Sequence, residues 1–122
     1  MKEFALIFRI DGNAVASAGE VTPAQMQERM TYWTNWMGGI AARDRLSSSG
    51  HRLGIRESKT IASGNVVTDG PYTEVKEFIN GYVIIKAQSV DEAVEMAKGC
   101  PILFAEGGKV EVRPLVAPDD NN

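Results

Sequence analysis

Asp69-Gly70-Pro71-Tyr72-Thr73-Glu74-Val75-Lys76-Glu77-Phe78-Ile79-Asn80-Gly81-Tyr82 opens with turn chemistry and runs on into charge. Gly70 frees the backbone, Pro71 fixes φ and has no N–H to donate, and a residue before proline avoids the α region. A tight loop is forced here, and it divides two stretches that read as strands. Upstream, Thr60-Ile61-Ala62-Ser63 and Val66-Val67-Thr68 flank Gly64-Asn65, a two-residue link of the type II′ class, and predict a β-hairpin. Downstream, Tyr82-Val83-Ile84-Ile85-Lys86-Ala87 is apolar on both faces, the pattern of a strand covered on both sides. Glu74, Lys76 and Glu77 stand close together between the strands, flanked by Tyr72 and Phe78. Loops held by rigid strands commonly carry sites.

Toward the C-terminus, Ser89-Val90-Asp91-Glu92 is a capping box opening a helix with Val90, Ala93, Val94 and Ala97 inward; Lys98-Gly99 ends it and Cys100-Pro101 forbids its continuation. Val110 to Leu115 supplies a last strand. Toward the N-terminus, residues 3–11 form a strand with Phe4, Leu6, Phe8 and Ile10 on one face and Ala5 and Ile7 on the other. Two helices do not suffice to cover both faces, which points to a second subunit's sheet as the other cover. Asp11 to Gly19 is a loop of small residues.

Thr22-Pro23-Ala24-Gln25 starts a helix: a threonine N-cap, proline at the first helical position and glutamine completing a capping box. Met26, Met30, Trp33, Met37 and Ile40 then form an apolar stripe whose first reading is core packing. Gly38-Gly39 costs about 1 kcal/mol per glycine relative to alanine and marks a kink or a close backbone approach. Ala41 to Leu46 extends the helix, Ser47-Ser48-Ser49-Gly50 stops it, and His51 to Glu57 is a strand with Leu53 and Ile55 on one face and Arg52 and Arg56 on the other. The order is β-α-β, hairpin, β-α-β, an α+β sandwich in one domain over 1–116, with 117–122 a fraying tail.

DGPYTEVKE is similar to the signature of the DGPF, or YCII-related, family, usually written Asp-Gly-Pro-Phe-x-Glu-x-Lys-Glu, with Tyr72 in place of the phenylalanine. The likeness extends through Gly81-Tyr82, Asp91-Glu92-Ala93, Cys100-Pro101 and Val110-Glu111-Val112-Arg113-Pro114. The resemblance implies a ferredoxin-like βαββαβ sandwich, here with an extra β-hairpin, that dimerises into an α/β barrel. Relatives in the broader YCII group have a proposed histidine-aspartate pair whose histidine lies in the first helix. No histidine occurs in that helix here, so the pair does not carry over. The resemblance also implies an association with extracytoplasmic-function sigma factors and transcription initiation.

Composition narrows the chemistry. The chain has 122 residues, a formal charge of −3, one histidine and one cysteine. Its Lys and Arg are scattered singly, without the basic stripe that neutralises phosphates, so direct nucleic-acid contact is disfavoured. A single cysteine excludes an internal disulfide, and one histidine with one cysteine cannot make an all-protein nitrogen and sulfur zinc site. No apolar run reaches membrane-spanning length and no signal-peptide pattern follows Met1, so a cytoplasmic protein is expected. No phosphate loop or dinucleotide fingerprint occurs, and no cofactor is implied.

The candidate site residues follow. His51 is the only side chain whose unperturbed pKa lies near neutrality, and an imidazole held by a carboxylate is a usable general base. Asp69 either fixes the Asp-Gly-Pro bend or lines a pocket. The first functional reading is a homodimeric small-molecule-binding enzyme using cofactor-free acid-base chemistry. Asp69 or Glu74 is the base, His51 the proton relay, and Lys76 or Arg113 holds negative charge; the cavity is bordered by Trp33, Trp36, Met37 and the loop at Tyr72. The alternative is a non-catalytic regulatory dimer that binds a protein partner in transcription initiation. Cys100, before proline and without a base nearby, reads as a small buried residue rather than a nucleophile.

Overall fold

The computed structural model describes residues 1–12, 21–71 and 78–121. Its elements are β1 (Lys2–Ile10), α1 (Pro23–Ala42), β2 (Leu46–Arg52), β3 (Lys59–Ala62), β4 (Val66–Asp69), β5 (Phe78–Ala87), α2 (Val90–Ala97), a 3₁₀ turn (Pro101–Phe104) and β6 (Lys109–Pro114). Four strands make one sheet in the order β2-β5-β1-β6, every neighbouring pair antiparallel, and β3 pairs with β4 in a separate two-stranded sheet. The fold is α+β.

Strand alternation decides where the core lies. Phe4, Leu6 and Phe8 of β1 and Val83, Ile85 and Ala87 of β5 are buried on one side of the sheet, together with Ile40 of α1 and Ala93, Met96 and Ala97 of α2. Each large apolar side chain removed from water there contributes about 1.5–3 kcal/mol. Trp36 of α1 donates its Nε1–H to the Met96 carbonyl at 3.0 Å, tying the helices together. On the other side of the sheet Ala5, Ile7 and Ile84 are half-buried. Cys100 is fully buried, and burial pushes its thiol up to about 12, which leaves it protonated and inert.

The start of α1 follows the sequence, since Thr22 and Gln25 make both halves of the capping box. Its end does not. Asp44 adopts a left-handed φ of 56°, its N–H bonding the Ala41 carbonyl at 2.9 Å while Arg45 N–H bonds Ile40 at 3.1 Å. This two-bond cap stops the helix at Ala42 and sends Leu46 to Arg52 into the sheet. Of the predicted helical extension over Ala41 to Leu46 only Ala41 and Ala42 are helical; Arg43 to Arg45 form the cap, and Leu46 with the predicted stop at Ser47 to Gly50 belongs to an edge strand. The expected strand over His51 to Glu57 ends at Arg52.

Other expectations shift for similar reasons. The hairpin is made, but Ala62 pairs with Val66, so its loop is the three residues Ser63-Gly64-Asn65, with positive φ at Gly64 (82°) and Asn65 (60°), rather than a two-residue II′ link. In α2, Met96 is buried while Val90 and Val94 are exposed, because the helix presents the 93-96-97 side to the sheet. Ser89 caps the Glu92 amide, but the Glu92 carboxylate turns to Arg45, so the box is only half made. In α1, Met26 and Met30 lie exposed beyond the stretch that Trp33, Met37 and Ile40 cover.

Gly38 and Gly39 sit inside the unbroken α1, and among the described residues a Cβ at either would meet nothing within 4 Å, so no close approach there explains them. Replacing both with alanine is expected to stabilise the protein by roughly 0.5–1 kcal/mol each. Thermal unfolding would register this as a rise of several degrees in Tm; an unchanged or lower Tm would mean that something outside the chain uses this space.

Candidate functional site

The triple serine followed by glycine in β2 builds the site. Leu46 pairs with Ile85, Ser48 with Ile84 and His51 with Tyr82, so the edge strand carries extra residues at two places. Gly50 occupies the second irregularity at φ 61°, and its N–H donates to Ser48 Oγ at 3.1 Å. This has the character of a glycine β-bulge, a device that bends an edge strand and re-aims its side chains. The strands are pinched together there. A Cβ on Gly50 would lie 1.8 Å from the Tyr82 carbonyl oxygen, and one on Gly81 would lie 2.8 Å from that of His51.

Beside the bulge lies a partly open cavity of about 290 Å³ between α1 and the β2–β5 end of the sheet. Phe8, Trp33, Met37 and Val83 form its apolar wall, and Ser49, Arg52 and Asn80 lie among the polar lining. Phe8, Gly81 and Arg52 are register partners across three neighbouring strands, a row on the helix side of the sheet to which the middle strand adds no side chain. Phe8 meets Trp33 edge-on at 5.1 Å, and Trp33 meets Trp36 at 5.8 Å. His51 and Tyr82 pair one step along, ring to ring at 6.4 Å, and both also reach the cavity lining. By strand alternation their side chains belong to the opposite side of the sheet from Phe8 and Arg52.

The expected site residues are spread over the molecule. Trp33, Met37 and His51 line the cavity; Trp36 packs beside them, against Phe8 and the α2 backbone. Asp69, at the end of the hairpin, is highly exposed and paired with Lys59 at 2.5 Å, and it is not among the lining residues. Arg113 stands on β6, three strands from β2, a lateral separation of about 14 Å. Tyr72, Glu74 and Lys76, with Glu77, lie outside the described residues. Among the described residues no three His, Cys, Asp or Glu side chains gather in a metal-holding group, and no helix is long and apolar enough to cross a membrane.

Arg113 belongs to an ion-pair row instead. It and Arg9 contact the Glu111 carboxylate at 3.0 and 2.9 Å, and these hydrogen bonds, Arg113 first, hold Glu111 below its usual carboxylate range. A depressed folded pKa means that the unfolded chain binds the proton more tightly. The stabilisation is therefore complete above the ordinary carboxylate range and is lost as pH falls through the lowered value. Glu111→Gln is expected to be less stable than wild type at pH 7 and to converge with it in acid; chemical denaturation from pH 7 to pH 3 checks this.

Phe8, Ser49, Arg52, Asn80 and Val83 were not singled out by the sequence as lining residues. The available signal was glycine: Gly50 after three serines and Gly81 inside a strand pattern both mark close backbone approach.

An uncharacterised protein of Rhizobium meliloti (strain 1021) is 39% identical over 54 residues, a match covering 44% of this chain and 44% of that protein. The chain thus spans less than half the length of that relative. A family model described as the YCII-related domain matches residues 13–117, which takes in α1, α2, the bulged strand and the described cavity-lining residues except Phe8, and by that extent the chain belongs to the YCII-related family.

Proposed function

We propose that the cavity between α1 and the bulged β2–β5 pair binds a small organic molecule, and that this binding is the centre of the protein's function. The observation that carries the reading is an unfilled volume of about 290 Å³ with an aromatic wall on one side and polar groups on the other. Small-molecule sites combine a concave apolar surface with a few placed polar groups. The test is a screen of small organic compounds by thermal shift, followed by amide NMR titration of each hit. Perturbations centred on Ser49, Gly50, Asn80 and Gly81 support the site. Hits that perturb only other regions sink it.

Cofactor-free acid-base chemistry is an extension of this reading. Of its proposed residues, His51 reaches the cavity lining, while Asp69 and Arg113 stand away from it. Binding therefore has the better support. A dimeric barrel built from ferredoxin-like subunits is supported by the antiparallel β2-β5-β1-β6 order and by half-buried Ile7 and Ile84 on the helix-free side of the sheet.

The second reading, a non-catalytic dimer that binds a protein partner in transcription initiation, has one observation in its favour. The β3–β4 hairpin carries Ile61 and Val67 as facing partners, 68% and 54% exposed. Exposed apolar side chains in such a pair favour contact with another polypeptide. Alanine at both positions would separate the readings, since loss of a partner with small-molecule binding intact favours the second.

A further inference from the structure

We propose that the cavity selects a small aromatic carboxylate, with Arg52 holding the anionic end; this rests on the cavity being a ligand site. Charge is the first consideration. Among the described residues no aspartate or glutamate lines the cavity, whereas Arg52 is a full cation in that lining, in a chain of net charge −3. Arg9, Arg45 and Arg113 each have a carboxylate partner, whereas Arg29, Arg43, Arg52 and Arg56 have no ion pair among the described residues, and of these four only Arg52 is in the cavity lining. A guanidinium is a planar fork that matches a carboxylate with two parallel hydrogen bonds, so its natural complement is an anion supplied by the ligand.

Shape and surface give the rest of the ligand. The 290 Å³ volume is about twice the ~150 Å³ cavity that holds benzene. It admits one ring and a short acidic arm. The edge-on pair of Phe8 and Trp33, with Met37 beside it, offers the kind of surface on which another aromatic ring packs by edge or offset face. Arg52 and Phe8 flank Gly81 in one row of the sheet, so their backbones stand two strand spacings apart, about 9–10 Å, with no side chain between them. A ring packed on Phe8 with a short acid arm directed across Gly81 fits that arrangement. Ser49 and Asn80 add neutral hydrogen-bonding groups along it.

The experiment is an amide NMR titration of the full chain with phenylacetate, phenylacetamide and phenethylamine, which share ring and arm and differ in charge. Wild type is expected to bind the acid about tenfold or more tightly than the amide, with the amine weakest. Arg52→Gln is expected to abolish the preference for the acid, weakening the acid about tenfold and the amide, whose carbonyl the guanidinium also reaches, much less. Because Arg52 is exposed and unpaired, the variant should unfold at the wild-type temperature. If the amide or amine binds as well as the acid, or if Arg52→Gln keeps the preference for the acid, the anion assignment is overturned while the cavity remains a ligand site. If none of the three perturbs Ser49, Gly50, Asn80 or Gly81, the aromatic-carboxylate assignment is overturned, and the broader compound screen decides the ligand-site reading separately.

Discussion

Replacing Gly50 with alanine is expected to destabilise the protein by about 3 kcal/mol or more, because two penalties coincide at that residue. The first is the left-handed backbone, which costs an alanine roughly 1–2 kcal/mol. The second is space: the new Cβ would fall 1.8 Å from the Tyr82 carbonyl oxygen, a contact that only separation of β2 from β5 relieves. Gly64 is the natural comparison, since it has an even larger positive φ of 82° but nothing within 4 Å. Gly64→Ala should therefore show the backbone penalty alone. Urea denaturation of both variants measures the difference, and equal losses would mean that β2 does not press on β5 at the bulge. Ligand binding should fail in Gly50→Ala even under conditions that keep it folded, since the cavity is bounded by that pinch.

Ile85→Ala is expected to cost about 3–5 kcal/mol, the range for deleting three buried carbons into a site that cannot fully collapse. Ile85 has no exposed surface and sits between buried Phe4 and half-buried Leu46 in the register of the sheet. Ile84, one residue earlier, faces the other side and is only half-buried. In a monomer, Ile84→Ala should cost about 1 kcal/mol, since only part of the side chain leaves water on folding. If a second copy covers that side, the loss becomes larger and depends on protein concentration. Thermal unfolding of the two variants across a hundredfold range of concentration distinguishes core from interface. A concentration-independent and small effect at Ile84 would remove support for the dimeric barrel.

Much of the scaffold was legible because it rests on local rules. The Thr22 capping box, the alternation in β1 and the hairpin around Gly64-Asn65 are short-range patterns, and each is realised. Ser47 to Gly50 was opaque because serine and glycine have weak strand preference. Their strand exists through pairing with Tyr82 to Ile85, more than thirty residues away, and through the Asp44 cap that releases the chain from the helix. The cavity was only half legible. Trp33 and Met37 announce an apolar surface, but the row of Phe8, Gly81 and Arg52 is created by the register of three strands, which no local pattern encodes. Arg52 in the sequence is simply one of several arginines.

The central position of β1 also shapes how the chain reaches its fold. Both neighbours of β1 come from the C-terminal half: Phe4 pairs with Ile85 on one side and with Pro114 on the other. During synthesis at about 5–20 residues per second, roughly 70 residues must follow β1 before its first partner exists, a wait of about 3–14 s. Throughout that interval Phe4, Leu6 and Phe8 form an apolar strand with two open edges, the kind of segment that chaperones capture or that aggregates. Formation of the sheet is thus postponed until β5 and β6 have been made, and the same residues that give the sheet its centre are its chief liability during synthesis.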